Sequence, residues 1–103
     1  MRYISSQEYL NDEVVEQKRA SKDYMVSVSP VFAVDGEEYR VVVDGHHSLA
    51  AALADGVDPE YHEVTEQEDD RICLLSDGRI EEFLETEWID SNWHDVFTGR
   101  EIW

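Results

Sequence analysis

Apolar positions along this chain switch between two periods, and the switches divide it into elements. Tyr9, Leu10, Val14 and Val15 recur at helical spacing. They follow Ser5-Ser6-Gln7-Glu8, which reads as a capping box with Ser5 as cap and Glu8 three residues on. Lys18, Arg19 and Lys22 close the stretch where cations complement the helix dipole, so a helix is predicted at about 6–20. Met25-Val26-Ser27-Val28-Ser29 then alternates as a half-buried strand does. Pro30 interrupts the ladder and predicts an edge or a bend, after which Val31-Phe32-Ala33-Val34 continues extended. Asp35-Gly36 is a hairpin dipeptide, because both residues tolerate positive φ, and Tyr39 to Val43 is the return strand.

Asp44-Gly45 breaks that strand. His46 to Ala54 is an alanine-rich helix with Gly56 just past its end. Asp58-Pro59 marks a turn, Tyr61 to Thr65 alternates as a strand, and Glu66-Gln67-Glu68-Asp69-Asp70 is an acidic loop. Arg71 to Leu75 reads as another strand. Ser76-Asp77-Gly78 turns the chain into a helix over Arg79 to Glu87, with Ile80, Phe83 and Leu84 on one face. There is no repeat and no low-complexity linker. Strands and helices interleaved within 103 residues predict one α+β domain spanning 1–103, a small mixed β-sheet with helices packed on it.

Composition supports a folded domain, with 42% hydrophobic and 11% aromatic residues. No apolar run approaches a membrane span, and the first six residues lack the apolar stretch of a signal peptide. Cys73 is the only cysteine and cannot form an internal disulfide. Within Ile72-Cys73-Leu74-Leu75 it is expected to be a buried, inert thiol, in keeping with a cytoplasmic location.

Charge changes the picture most. Eight Lys and Arg face 25 Asp and Glu, a net −17, and residues 1–22 balance, so all of the excess falls on 23–103. A polyphosphate would be repelled over most of that surface, so direct nucleic-acid binding is not expected. Residues 58–90 alone hold thirteen acids against Arg71 and Arg79. A solvated, solubilising face is one reading of them. The sharper one is a surface that imitates a phosphate backbone, carried by Glu66, Glu68, Asp69, Asp70, Glu81, Glu82, Glu85 and Glu87. Glu81 and Glu85 stand one helical turn apart, roughly 5–6 Å, comparable to successive phosphates.

The strand pair with its turn, the junction Val43-Asp44-Gly45-His46-His47-Ser48 and the alanine-rich helix ending in Gly56 together resemble the N-terminal domain of ParB-type partition proteins. Sulfiredoxin is similar over the same unit, and the resemblance covers about residues 25–64. It implies a ParB/sulfiredoxin-like fold. It also implies a nucleotide site at Gly45, His46, His47 and Ser48, where a helix start cradles the phosphates of CTP or ATP. Ser48 replaces the arginine usual in that family, which removes a bidentate phosphate clamp, and His46 stands where sulfiredoxin has its reactive cysteine. The helix-turn-helix and dimerisation segments that follow this unit in ParB proteins are not expected in the residues that remain.

Other constellations are weaker. His46 and His47 with Asp44 and His62 or His94 lack metal-ligand spacing, so no metal site is expected. His47 and Ser48 are neighbours and rarely reach each other as base and nucleophile. Trp88, Trp93, Phe97 and Trp103 either fill the core or anchor a partner, with Trp88 and Trp93 the candidate anchors.

The expectation is a non-enzymatic acidic module that needs no cofactor and binds a basic nucleic-acid-binding protein, as small inhibitors of host defence such as anti-CRISPR proteins do. A homodimer is compatible with it. The alternative is a ParB-like regulator that binds CTP or ATP, and a third reading is an accessory regulator or antitoxin that uses its tryptophans.

Overall fold

The computed structural model describes all 103 residues. In chain order the elements are β1 (Arg2–Ser5), α1 (Asp12–Ser21), β2 (Met25–Val28), β3 (Phe32–Val34), β4 (Glu37–Asp44), α2 (His46–Asp55), β5 (Glu60–Glu63), α3 (Ile72–Ser76), α4 (Ile80–Glu85) and β6 (His94–Asp95). The fold class is the predicted one, α+β with a mixed sheet, in the order β5-β2-β4-β1-β6 and with β3 also paired to β4.

Strand β4 organises the sheet. It runs parallel to β1, with Ile4 beside Val41, and antiparallel to β2 and β3. The β3–β4 hairpin closes through Asp35 (φ 52) and Gly36 (φ 81), the two positive values this turn requires. Pro30 supplies the expected break between β2 and β3. Ser29 spans it, giving its N–H to Val41 O at 2.9 Å and taking the Val41 N–H on its hydroxyl, so β4 loses no partner there.

The run Val41-Val42-Val43 is apolar throughout because both faces of the sheet are covered. Val41 packs with Ile4, Phe32, Tyr39, Val64, Ile72 and Phe83 on the side of α3 and α4. Val42 packs with Val26, Val28 and Leu49 on the side of α2, whose Ala51 and Ala52 are wholly buried.

Three expectations fail. The capping box at Ser5 is not formed. Residues 2–5 find a ladder on β4, and α1 starts at Asp12, capped by Asn11, whose Oδ1 accepts from Glu13 N (3.0 Å) and Val14 N (3.3 Å). The segment predicted as a strand at 71–75 is largely the helix α3, because a short apolar run fits either period and here turn bonds from Ile72 N to Asp69 O and Cys73 N to Asp70 O start a helix. Only Ile72 of that run is fully buried, and Cys73 is exposed rather than buried.

Candidate functional site

Strands β1 and β4 run side by side and end at Ser5 and Asp44, and two cavities open at these carboxyl ends. The first belongs to the β4–α2 junction. Gly45, His46, His47 and Ser48 do come together there, in a cavity of about 450 Å³ that Lys18, Asp23 and Asp44 also line. Gly45 has φ 89, and a Cβ on it would lie 2.6 Å from Met25 O. The close approach that demands glycine is therefore to the backbone of β2. Asp44 Oδ1 takes the Gly45 N–H at 2.8 Å. His47 Nε2 accepts the Asn11 N–H at 3.1 Å. Ser48 is buried and donates to Asp23 Oδ1, and Lys18 Nζ holds Asp23 Oδ2 at 2.9 Å. That lysine, ahead of the backbone N–H of Met25, keeps the Asp23 carboxyl below its ordinary range.

His46 lines the second cavity as well, and sequence reasoning missed its partner. Ser5 Oγ lies within hydrogen-bond distance of His46 Nε2, at 2.7 Å, and the same oxygen accepts the Gln7 N–H at 3.0 Å. Burial depresses the His46 pKa, more than Asp44 restores it, and keeps the ring neutral. The spacing is that of a nucleophile and its base. Ser5 is only 2% exposed, however, and its oxygen is occupied on both sides, so the pair holds the loop that leaves β1.

This second cavity measures about 360 Å³ and is walled by Val41, Val42, Val43, Trp88 and Trp93. Arg71 and Glu87 also line it. The Arg71 guanidinium is heavily engaged: Nε and Nη2 bond to the Asp69 carboxylate, and Nη1 donates to Thr86 O at 3.2 Å. Glu87 Oε1 lies 3.2 Å from Arg71 Nη1, yet it is buried and receives no hydrogen bond. Burial pushes the Glu87 carboxyl up to about 7, against the pull of Arg71 and with a further rise from Asp69.

Glu87 therefore does not belong to the acidic face on which the sequence reading placed it. The rest of that set divides in two. Asp69 is bound by Arg71, Glu82 by Arg79 and Glu68 by His62. Glu66 accepts from the Ser76 hydroxyl at 2.8 Å. Asp70, Glu81 and Glu85 are exposed and touch no base. Six of the eight Lys and Arg, namely Arg2, Lys18, Arg19, Arg40, Arg71 and Arg79, are already paired with carboxylates of the same chain.

The tryptophans separate as well. Trp93 and Trp103 meet edge to face at 6.2 Å, Trp103 also meets Tyr39 at 5.2 Å, and Trp93 packs on the larger core cluster. Trp88 is 72% exposed at the mouth of the Glu87 cavity. It is held by its backbone: Trp88 O accepts from Ser6 Oγ at 2.9 Å. Next to it the Asp90 carboxylate takes the N–H groups of Glu8 (2.7 Å) and Tyr9 (3.3 Å). The loops after β1 and after α4 are thereby stitched together, and between them they expose Tyr9, Trp88 and Ile89. No signal at the level of sequence marks this pairing, because eighty residues separate the partners.

No helix is long and apolar enough to cross a membrane. No protein-family model, no curated protein and no solved structure matches this chain.

Proposed function

We propose that this protein is a non-enzymatic acidic binding module that occupies the nucleic-acid-binding groove of a basic protein, in the manner of a DNA or RNA mimic. One observation carries the reading. Six of the chain's eight cations are engaged internally while Asp70, Glu81 and Glu85 stay exposed and unpaired, so the outward field is that of a polyanion. A partner built to release counterions from phosphates would release them equally on these carboxylates. The exposed Tyr9, Trp88 and Ile89 add apolar anchors, which give a fixed register that charge alone does not. A cytoplasmic location and an anti-defence role, anti-CRISPR-like in kind, belong to the same proposal.

The test is capture of the partner from the source cell, then titration of the purified pair at rising salt. The reading expects a nucleic-acid-binding protein, steep loss of affinity between about 50 and 200 mM salt, competition by the partner's own DNA or RNA, and weakening on joint reversal of Glu81 and Glu85 to lysine. Affinity indifferent to salt, or binding that leaves the partner's nucleic acid in place, overturns it.

A second reading rests on the junction cavity. Gly45, His46, His47 and Ser48 line one space with Lys18, which suits a ParB-like site for CTP or ATP. Asp23 and Asp44 in the same wall oppose a triphosphate. Calorimetry with CTP and ATP in the presence of Mg²⁺ decides it: saturable micromolar binding, lost in His47→Ala, supports the site, and absence of heat removes it.

A further inference from the structure

We infer that the outer edge of β5 is a docking site for an extended, basic segment of a partner protein, which adds to the sheet as one more strand. The two ends of the sheet differ. At β6 the chain returns on itself, with Glu101 bridged to His94 and the Ile102 N–H given to Trp93 O, so that end is closed. At the other end β5 is the terminal strand, and all four of its residues are exposed. It runs parallel to β2, with Tyr61 beside Val26 and Glu63 beside Val28. Glu60 N and Val64 N give their hydrogens to Tyr24 O and Val28 O, at 2.9 and 2.8 Å. Backbone groups alternate in direction along a strand, so the N–H and C=O of Tyr61 and Glu63 point away from β2. No further strand takes them.

Charge decides the occupant. From Asp58 to Asp70 the chain has seven acids and no lysine or arginine. Natural sheets blunt an open edge with lysine, with proline or with a bulge. β5 has none of these: Pro59 stands just ahead of it, and its register with β2 is unbroken. Its glutamates turn away a second copy instead. A two-fold pair through this edge would run antiparallel, and the register that pairs all four residues sets Glu60 of each copy against Glu63 of the other. A strand with lysine or arginine at alternate positions meets the opposite field. Its cations fall beside Glu60 on one face of the sheet or beside Glu63 on the other. On the Glu63 face Tyr61 adds a ring that is stacked on Tyr3 at 4.6 Å and still 40% exposed, a surface for the stem and charge of an arginine. The backbone bonds would hold any extended segment, and the acids select a basic one.

The inference rests on the reading of a basic protein partner and names the part of that partner which is held. Its test uses peptides in the partner's place. An acetylated, amidated Lys-Val-Arg-Val-Lys peptide is titrated into the ¹⁵N-labelled protein at low salt. Saturable shifts and slowed hydrogen exchange are expected at the Tyr61 and Glu63 amides. The same peptide N-methylated at every residue keeps its charge but cannot pair with an edge, and is expected to bind about tenfold more weakly or worse. An acidic Glu-Val-Glu-Val-Glu peptide is expected to give no shifts. Glu63→Gln keeps the outward N–H, whereas Glu63→Pro removes it without touching a bond to β2, so the proline variant is expected to lose more affinity than the glutamine variant. Should Glu63→Pro fail to fold, the methylated peptide decides alone. Absence of saturation, equal affinity for the methylated peptide, or shifts that gather on α4 with Tyr61 and Glu63 unprotected overturns the site. Protection of these two amides by self-association of the protein alone also overturns it, since the occupant is then a second copy. Such a failure beside a captured, salt-sensitive partner would leave the polyanion reading standing. Peptide pairing at β5 beside a captured partner that keeps its nucleic acid would do the reverse.

Discussion

Glu87 shows how one residue's surroundings reverse the reading of its type. In sequence it is the last of a row of acids, and nothing distinguishes it from Glu85. In the fold its carboxyl is drawn inward beside Arg71 and its pKa rises from 4.5 to about 7. The native state then holds a proton that the unfolded chain has released, so the stabilisation is fully present below about pH 4.5 and lost as pH climbs through about 7. Replacing the carboxyl by an amide fixes the neutral form. Glu87→Gln is expected to match the parent at about pH 4 and to exceed it at about pH 8 by about 1–3 kcal/mol, less than the full conversion because water at the cavity mouth screens the charge. Urea unfolding followed by tryptophan fluorescence at the two pH values checks this, and a stability difference that is the same at both would refute it.

At the scale of elements, Asn11 and Ser5 competed for one role. Both precede apolar residues at helical spacing, and Ser5 had the fuller motif, with Glu8 in place. What decided against it was β4, whose parallel edge takes Ile4 and its neighbours into the sheet. Asn11→Ala is therefore expected to cost about 1 kcal/mol, through the lost bonds to Glu13 N and Val14 N. Glu8→Ala should change stability by less than about 0.5 kcal/mol, because only the Glu8 backbone is engaged. Chemical denaturation of the pair reads the contrast; a larger loss at Glu8 would restore the capping box. The local signals were legible where they needed no distant partner: the Asp35-Gly36 turn, the break at Pro30 and the helix closed by Gly56. The four junction residues were also legible as a group, and they do line one cavity. The Ser5–His46 bond, the β1–β4 ladder and the stitching of Asp90 to Glu8 join residues 37 to 82 apart, which no local period encodes. The helix at 72–76 was misread for a different reason, since four apolar residues are too few to fix a period.

The whole molecule carries a net charge of −17, and two opposing electrostatic effects act on it. Its ion pairs, weakened by salt, are mostly half-exposed and worth about 0–1 kcal/mol each. Mutual repulsion among the unpaired carboxylates, relieved by salt, extends over the entire surface. Repulsion should win, so the melting temperature is expected to rise as NaCl is raised from about 10 to 200 mM. Glu85 sharpens the argument. It is exposed, unpaired and at the carboxyl end of α4, where a cation suits the helix dipole better than an acid. Glu85→Lys should therefore raise the melting temperature at low salt and flatten its dependence on salt, while weakening association with a basic partner. Opposite signs for stability and binding at one position are what an acid retained for recognition produces. A merely solubilising acid would change stability alone, and a lower melting temperature in Glu85→Lys would mean that local pairing, not the collective field, governs this surface.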